Sequence, residues 1–182
     1  MPLDLLHHES VPRLAPGRTE AGARVSTCNA LDYSSMQAIA VGLGQSAPMS
    51  THRWVTDGER RYTGLLRTDL YDAWLIAWRP SSLLDLHDHG GSRGVVAVVQ
   101  GELAETYADD PLATLSRRRL ASGATVAIPE TRVHAVSNPG CTDALSVHVY
   151  SPPLGPMTSF ESSPVGLVRA RPEQALAGAP PF

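Results

Sequence analysis

From Tyr62 to Tyr150 the apolar residues fall into short runs separated by Gly, Pro, Asn and Ser. The runs read as strands over Tyr71–Trp78, Gly94–Gln100, Leu103–Tyr107, Ser116–Leu120, Thr125–Ile128, Val133–Ser137 and Leu145–Tyr150, with Gly101 turning between the second and third. Turn signals every 8–12 residues or so mark antiparallel β structure, a sandwich or barrel, and not βαβ units. Upstream, Leu31, Met36, Ile39, Ala40 and Leu43 share one helical face, which predicts a helix over Leu31–Leu43. Asn29 or Asp32 can cap it and Gly42 or Gly44 can stop it.

Pro2, Pro12, Pro16 and Gly17 break any pattern before the helix, so residues 1–30 read as an irregular arm. Residues 31–155 form the domain, and the Pro/Ser-rich stretch 156–182 reads as a tail over its surface. No internal repeat is visible. The expected fold is mainly β: a single jelly-roll barrel with a short helical N-terminal region.

Composition narrows the class. A chain of 182 residues with 42% hydrophobic content buries a real core without a disulfide or structural metal. A net charge of −3 gives no general pull toward nucleic acid or an anionic membrane. Arg117, Arg118 and Arg119 are expected to form a solvated strand edge, and His7 and His8 a solvated stretch of the arm. Cys28 and Cys141 are far apart and have no metal-ligand spacing, which suits a reducing cytoplasm. No apolar run approaches the roughly 20 residues of a membrane span, and Met1–Ser10 lacks the basic start and apolar centre of a signal peptide.

His87-Asp88-His89, followed 45 residues after His89 by His134, carries the chemistry. Histidines at i and i+2 face the same side of a strand, and a third imidazole from a distant strand completes a three-nitrogen metal site. Such a site leaves coordination positions open, as catalytic metals require. His87, His89, Gly94 and Gly101 resemble the first motif of the cupin superfamily, with Gly94 where that motif carries Glu. Gly123, Pro129, His134 and Asn138 resemble the second, with Thr131 replacing its internal Gly. Without a carboxylate ligand the metal keeps its full charge and favours anionic partners; borderline-soft Fe(II) accepts both imidazole and thiolate and binds dioxygen. A zinc hydrolase or a ligand-binding cupin would use the same three residues.

His87-Asp88-His89-Gly90-Gly91-Ser92 and the ending Ser146-Val147-His148-Val149-Tyr150-Ser151-Pro152-Pro153-Leu154 resemble the cysteine dioxygenase family over roughly residues 62–154. The resemblance implies non-haem iron on His87, His89 and His134, and a hydrogen-bonded relay of Ser146, His148 and Tyr150. Alternation supports the relay independently: positions 146, 148 and 150 share one strand face, while Leu145, Val147 and Val149 share the other. Trp74 and Trp78 are expected in the core, with a pocket-lining role as the alternative.

Two departures stand out. Gly94 replaces the cysteine that animal members crosslink to the relay tyrosine, so Tyr150 is expected unmodified. The family's substrate-binding Arg follows a Tyr-x pair, whereas Tyr62-Thr63 leads here into Gly64. Tyr62 remains a substrate-binding candidate, with Arg67, Arg61 or Arg60 as a shifted source of the guanidinium. The resemblance implies an Fe(II)-dependent dioxygenase joining O2 to the sulfur of a small thiol, L-cysteine first, in a monomer or small homo-oligomer. Another thiol, or a different sulfur product, is the alternative that Gly64 raises.

Overall fold

The computed structural model describes residues 30–46, 54–57 and 60–170. The arm before Ala30, with His7, His8 and Cys28, and the tail after Ala170 lie outside these residues. In chain order the elements are α1 (Tyr33–Ser46), β1 (Val55–Asp57), β2 (Arg60–Arg67), β3 (Asp72–Trp78), β4 (Leu83–His87), β5 (Arg93–Gln100), β6 (Glu102–Ala108), β7 (Ser116–Ala121), β8 (Thr125–Ile128), β9 (Val133–Ser137), β10 (Ala144–Ser151), β11 (Phe160–Ser163) and β12 (Gly166–Arg169).

Asp32 starts the helix by accepting the backbone N–H of Ser35 at 2.8 Å. The helix does not stop at Gly42 or Gly44 but runs on to Ser46. Gly44 serves close packing instead, since a Cβ there would lie 2.9 Å from Val99 Cγ2 on β5.

Two antiparallel sheets face each other. The larger has the order β1-β2-β3-β10-β5-β8 and the smaller β4-β9-β6-β7; each is its own ladder, so the expected barrel takes the form of a two-sheet jelly roll. β10 lies inside the larger sheet and is buried along its whole length. Its odd face, Leu145, Val147 and Val149, joins Ala73, Leu75, Ala77, Val95 and Ala97 beneath Met36 and Ala40 of α1. Each fully buried Leu or Val in that layer contributes roughly 1.5–3 kcal/mol of burial free energy. The facing interior is filled by Trp78, Leu84, Val96, Val98, Leu103, Leu120, Val126, Ile128 and Val136.

β11 and β12 form a hairpin within the stretch read as a surface tail. This stretch docks on the histidine loop: Ser159 bridges to His87, and Asp88 Oδ1 accepts the N–H groups of Thr158 at 3.0 Å and Gly90 at 3.1 Å. Gly90 has φ +60°, and a Cβ there would meet the Pro156 carbonyl oxygen at 2.6 Å. Gly90→Ala is therefore expected to destabilise the fold by about 2 kcal/mol or more, combining left-handed strain with a backbone clash. Urea unfolding of the variant beside the unaltered protein measures it; equal midpoints would contradict the clash.

Candidate metal centre

β4 ends at His87, and β9 carries His134 directly opposite, the two being cross-strand partners after a register shift between Leu84 and His87. His89 lies two residues beyond the strand, in the loop that Asp88 and Gly90 shape, so the His-x-His pair straddles a strand end. All three imidazoles are buried, and one ligand nitrogen from each lies within 4.8 Å of the others. The ring centroids are 4.6 to 5.3 Å apart. The three metal candidates chosen from spacing thus come together from two backbone segments, with His89 beyond the strand expected to carry both His87 and His89.

The proton positions follow from the partners. His87 Nδ1–H donates to the Asp85 carbonyl at 2.7 Å, and His134 Nδ1–H donates to Glu105 Oε1 at 2.8 Å. Both rings therefore turn an Nε2 lone pair inward, where His134 Nε2 lies 3.2 Å from His89 Nε2. Converging lone pairs in a buried site call for a cation, and a divalent metal ion fits this donor set. Protonation does not supply that cation. Burial lowers the pKa of His87 to about 4 and holds those of His89 and His134 well below the ordinary value, with neighbouring imidazoles adding to the effect for the latter two.

The relay is assembled as alternation predicts. Ser146 Oγ lies 2.9 Å from His148 Nε2, and His148 Nδ1 lies 3.1 Å from the Tyr150 hydroxyl. The indole N–H of Trp78 donates to Ser146 Oγ at 2.9 Å, and the Ser146 hydroxyl has no acceptor for its own hydrogen other than His148 among the described residues. The fully buried Ser146 hydroxyl then gives its own hydrogen to His148 Nε2. His148, held neutral by burial with its pKa lowered to about 3, carries its proton on Nδ1 and donates to Tyr150. Tyr150 is left to donate its O–H away from the relay. Burial first, and the nearby Asp72 carboxylate second, raise the Tyr150 pKa, so the group is a neutral phenol. Its ring packs edge-on to His89 at a centroid distance of 4.7 Å, which brings the relay to the metal site.

Gly94 is the cross-strand partner of Tyr150. A Cβ at this position would touch Tyr150 Cδ1 and Cε1 at 3.2 Å, so the missing side chain leaves the phenol ring its space. Trp74, Tyr150 and Leu154 form an apolar wall with Tyr62, Ile76 and Met157. Asp72 Oδ2 accepts the Leu154 N–H at 3.1 Å and anchors the segment that follows the relay strand.

The substrate-side candidates separate. Tyr62 lies on the wall beside Trp74, with ring centroids 6.5 Å apart. Gly64 pairs with Trp74, so the clamp position adds no side chain beside this wall. Arg61 stacks over Trp54 at 5.4 Å, and its β2 position alternates away from Tyr62 and Gly64. Arg67 is exposed at the end of β2. Arg60 is the residue in register with Trp78; its guanidinium lies 5.8 Å from that ring, and its charge lowers the pKa values of His87, His148 and Tyr150.

Glu105, Trp78 as a relay donor and the inward-facing Arg118 were not singled out as site residues by the sequence. Arg118 corrects the expectation of a wholly solvated arginine cluster, since its Nε donates to the buried Glu105 Oε2 at 2.5 Å. Register could have found it: Arg118 pairs with Glu105, while Arg117 and Arg119 alternate to the other face.

The sequence profile of the cysteine dioxygenase type I family matches residues 30–163. Among solved structures, KdgF from Halomonas sp. is similar with a TM-score of 0.51 at 19% identity, over 58% of this chain and 92% of that one. Oxalate decarboxylase of Lactobacillus farciminis in its formate complex gives a TM-score of 0.53 at 17% identity, over 61% of this chain and 34% of that one. CapF gives 0.51 at 18%, over 58% and 32%. These likenesses identify the fold as a cupin.

The buried neutral histidines make the metal-free protein acid-sensitive. A histidine at about 4 in the fold and about 6.5 when unfolded leaves the unfolded state with more bound protons between those values. Stability is then intact above about pH 6.5 and falls as pH drops toward 4, by roughly 1.4 kcal/mol per pH unit for each such histidine. Chemical denaturation of metal-free protein across that range tests it; a flat profile would contradict the neutral, buried assignment.

Proposed function

The chain belongs to the cysteine dioxygenase type I family, and on that premise we propose that it is an Fe(II)-dependent dioxygenase that joins both atoms of O2 to the sulfur of a small thiol, with L-cysteine to cysteine sulfinate as the first choice. The observation that carries the reading is the directed relay ending on a neutral Tyr150 phenol beside His89. A donor aimed at charge developing on oxygen serves oxidation and hydrolysis alike, and the family match is what favours oxidation.

Fe(II) on His87, His89 and His134 supplies, when bound, open positions for thiolate and dioxygen and the redox capacity for their union. The chain's own groups do the rest. Tyr150 donates a hydrogen bond toward the reacting oxygen, and His148 and Ser146 keep its proton facing the pocket. Trp74, Tyr62, Leu154 and Met157 screen that pocket from water. Arg60 provides the positive charge on the relay side of β2 and takes the substrate carboxylate in place of the side chain missing at Gly64. Because Gly64 moves the cation about four residues along the strand, a mercapto-acid with a different reach is the second substrate reading.

Anaerobic loading with Fe(II), followed by L-cysteine, a mercapto-acid and an amino-thiol in turn, tests the assignment through oxygen uptake and product mass. Thiol-dependent uptake with two oxygen atoms on sulfur is expected. Tyr150→Phe should cut turnover by about 10²-fold while leaving iron affinity unchanged. Arg60→Ala should raise KM about tenfold for thiols bearing a carboxylate and leave the amino-thiol unaffected. Uptake absent with every thiol, together with ester hydrolysis by the zinc-loaded protein, would replace this reading with the hydrolytic one.

A further inference from the structure

Glu105 is a carboxylate with only 1% of its surface exposed, inside the smaller sheet. Burying a charge is costly without strong partners, so its surroundings explain why it is there. Oε1 accepts His134 Nδ1–H at 2.8 Å and Oε2 accepts Arg118 Nε–H at 2.5 Å. Arg132 NH1 lies 3.7 Å from Oε1, while its Nε is held by Asp109 at 2.6 Å and its NH1 donates to the Ala127 carbonyl at 3.2 Å. Both guanidinium groups lie over the Tyr107 ring, at 4.6 Å for Arg118 and 4.3 Å for Arg132. The aromatic ring keeps the two cations in place behind the carboxylate.

The three strands have separate parts in this arrangement. β6 contributes Glu105 and Tyr107, β7 contributes Arg118, and β9 contributes His134, which is the register partner of Tyr107. Oε1 of Glu105 therefore faces the metal centre through a hydrogen-bonded imidazole, with Arg132 farther off at 3.7 Å, while Oε2 is hydrogen-bonded to a cation. The remaining metal candidates have no such partner: His87 donates to a neutral carbonyl, and His89 Nδ1 has no hydrogen-bond partner among the described residues. Gly94, where the cupin motif would place an acidic ligand, contributes no charge.

We propose that Glu105 is the positioning residue of the metal centre, fixing His134 with Nε2 inward and passing carboxylate charge through that ring in place of the acidic ligand missing at Gly94, with Arg118 limiting how much charge is passed. The inference rests on the three-histidine metal reading. A hydrogen-bonded carboxylate orients a metal-binding histidine and makes it a stronger donor, and losing such a partner costs about 10- to 100-fold in metal affinity. An Arg on the other carboxylate oxygen draws charge the opposite way. Glu105 touches no substrate; its effect runs through His134.

Co(II) is the probe, followed by chelator competition and by its visible absorption spectrum, with no turnover required. Glu105→Gln keeps an acceptor but loses the charge, and it is expected to weaken Co(II) binding about tenfold or more. Arg118→Gln removes the cation bonded to Oε2, leaving only Arg132 at 3.7 Å from Oε1, and is expected to bind Co(II) at least as tightly as the unaltered protein. If Glu105 serves only to neutralise the arginines, both variants lose thermal stability while Co(II) affinity stays within twofold; that result overturns the proposal. Weakening by Arg118→Gln equal to that by Glu105→Gln overturns it as well. Should Glu105→Gln fail to fold, the unaltered Co(II) protein still decides through proton NMR: the metal-shifted His134 Nδ1–H signal should exchange slowly with water, and rapid exchange refutes the bond. An unaltered protein that binds no Co(II) or Fe(II) overturns the metal reading itself, whereas normal binding with an indifferent Glu105 overturns this inference alone.

Discussion

Three imidazole rings turned toward one buried point are the constraint on which this structure depends. Their inward nitrogens approach to 3.2 Å between His89 and His134, and removal from water keeps the rings unprotonated. A rigid frame holds the rings in this cluster, and a divalent cation at its centre fits their nitrogens. The frame comes from the smaller sheet, where His87 and His134 are opposed across one rung. His89 joins them because Asp88 ties its loop to Gly90 and Thr158. The segment that leads into the hairpin, through Pro156, Thr158 and Ser159, is thereby part of the site's support.

β10 solves a second problem. A strand buried on both faces reads as continuous apolar sequence in an ordinary core, yet this one carries Ser, His and Tyr on alternate positions. The apolar half packs beneath α1, which lets the polar half face the interior. Those polar groups satisfy one another in a row, and Trp78 donates to Ser146 at its start. A chain of hydrogen bonds with a defined start delivers a defined proton at its end. Gly94 completes the arrangement by giving the Tyr150 ring room beside it.

The larger pattern was legible because period-two alternation is a local property. β8 and β9 begin and end where the runs Thr125–Ile128 and Val133–Ser137 place them, and Leu145, Val147 and Val149 share one face as expected, which proves to lie beneath the helix. The helix stop was misplaced because Gly44 answers to a contact with Val99, which lies far away in sequence. The hairpin after Phe160 was hidden by its Pro- and Ser-rich surroundings. Arg118 looked like its neighbours Arg117 and Arg119 because composition does not reveal which of three consecutive side chains turns inward.

By itself the sequence determined the alternating faces, which follow from spacing along each strand, and it named the three histidines and the Ser-His-Tyr row through spacing together with the motifs they resemble. Tertiary structure alone decided which nitrogen of each ring faces the centre, which arginine neutralises Glu105, and that Arg60 rather than Arg61 lies toward the relay. The physical reason is register. A hydrogen bond or ion pair across strands depends on which residue stands opposite, and a shift of one position exchanges every inward group for an outward one.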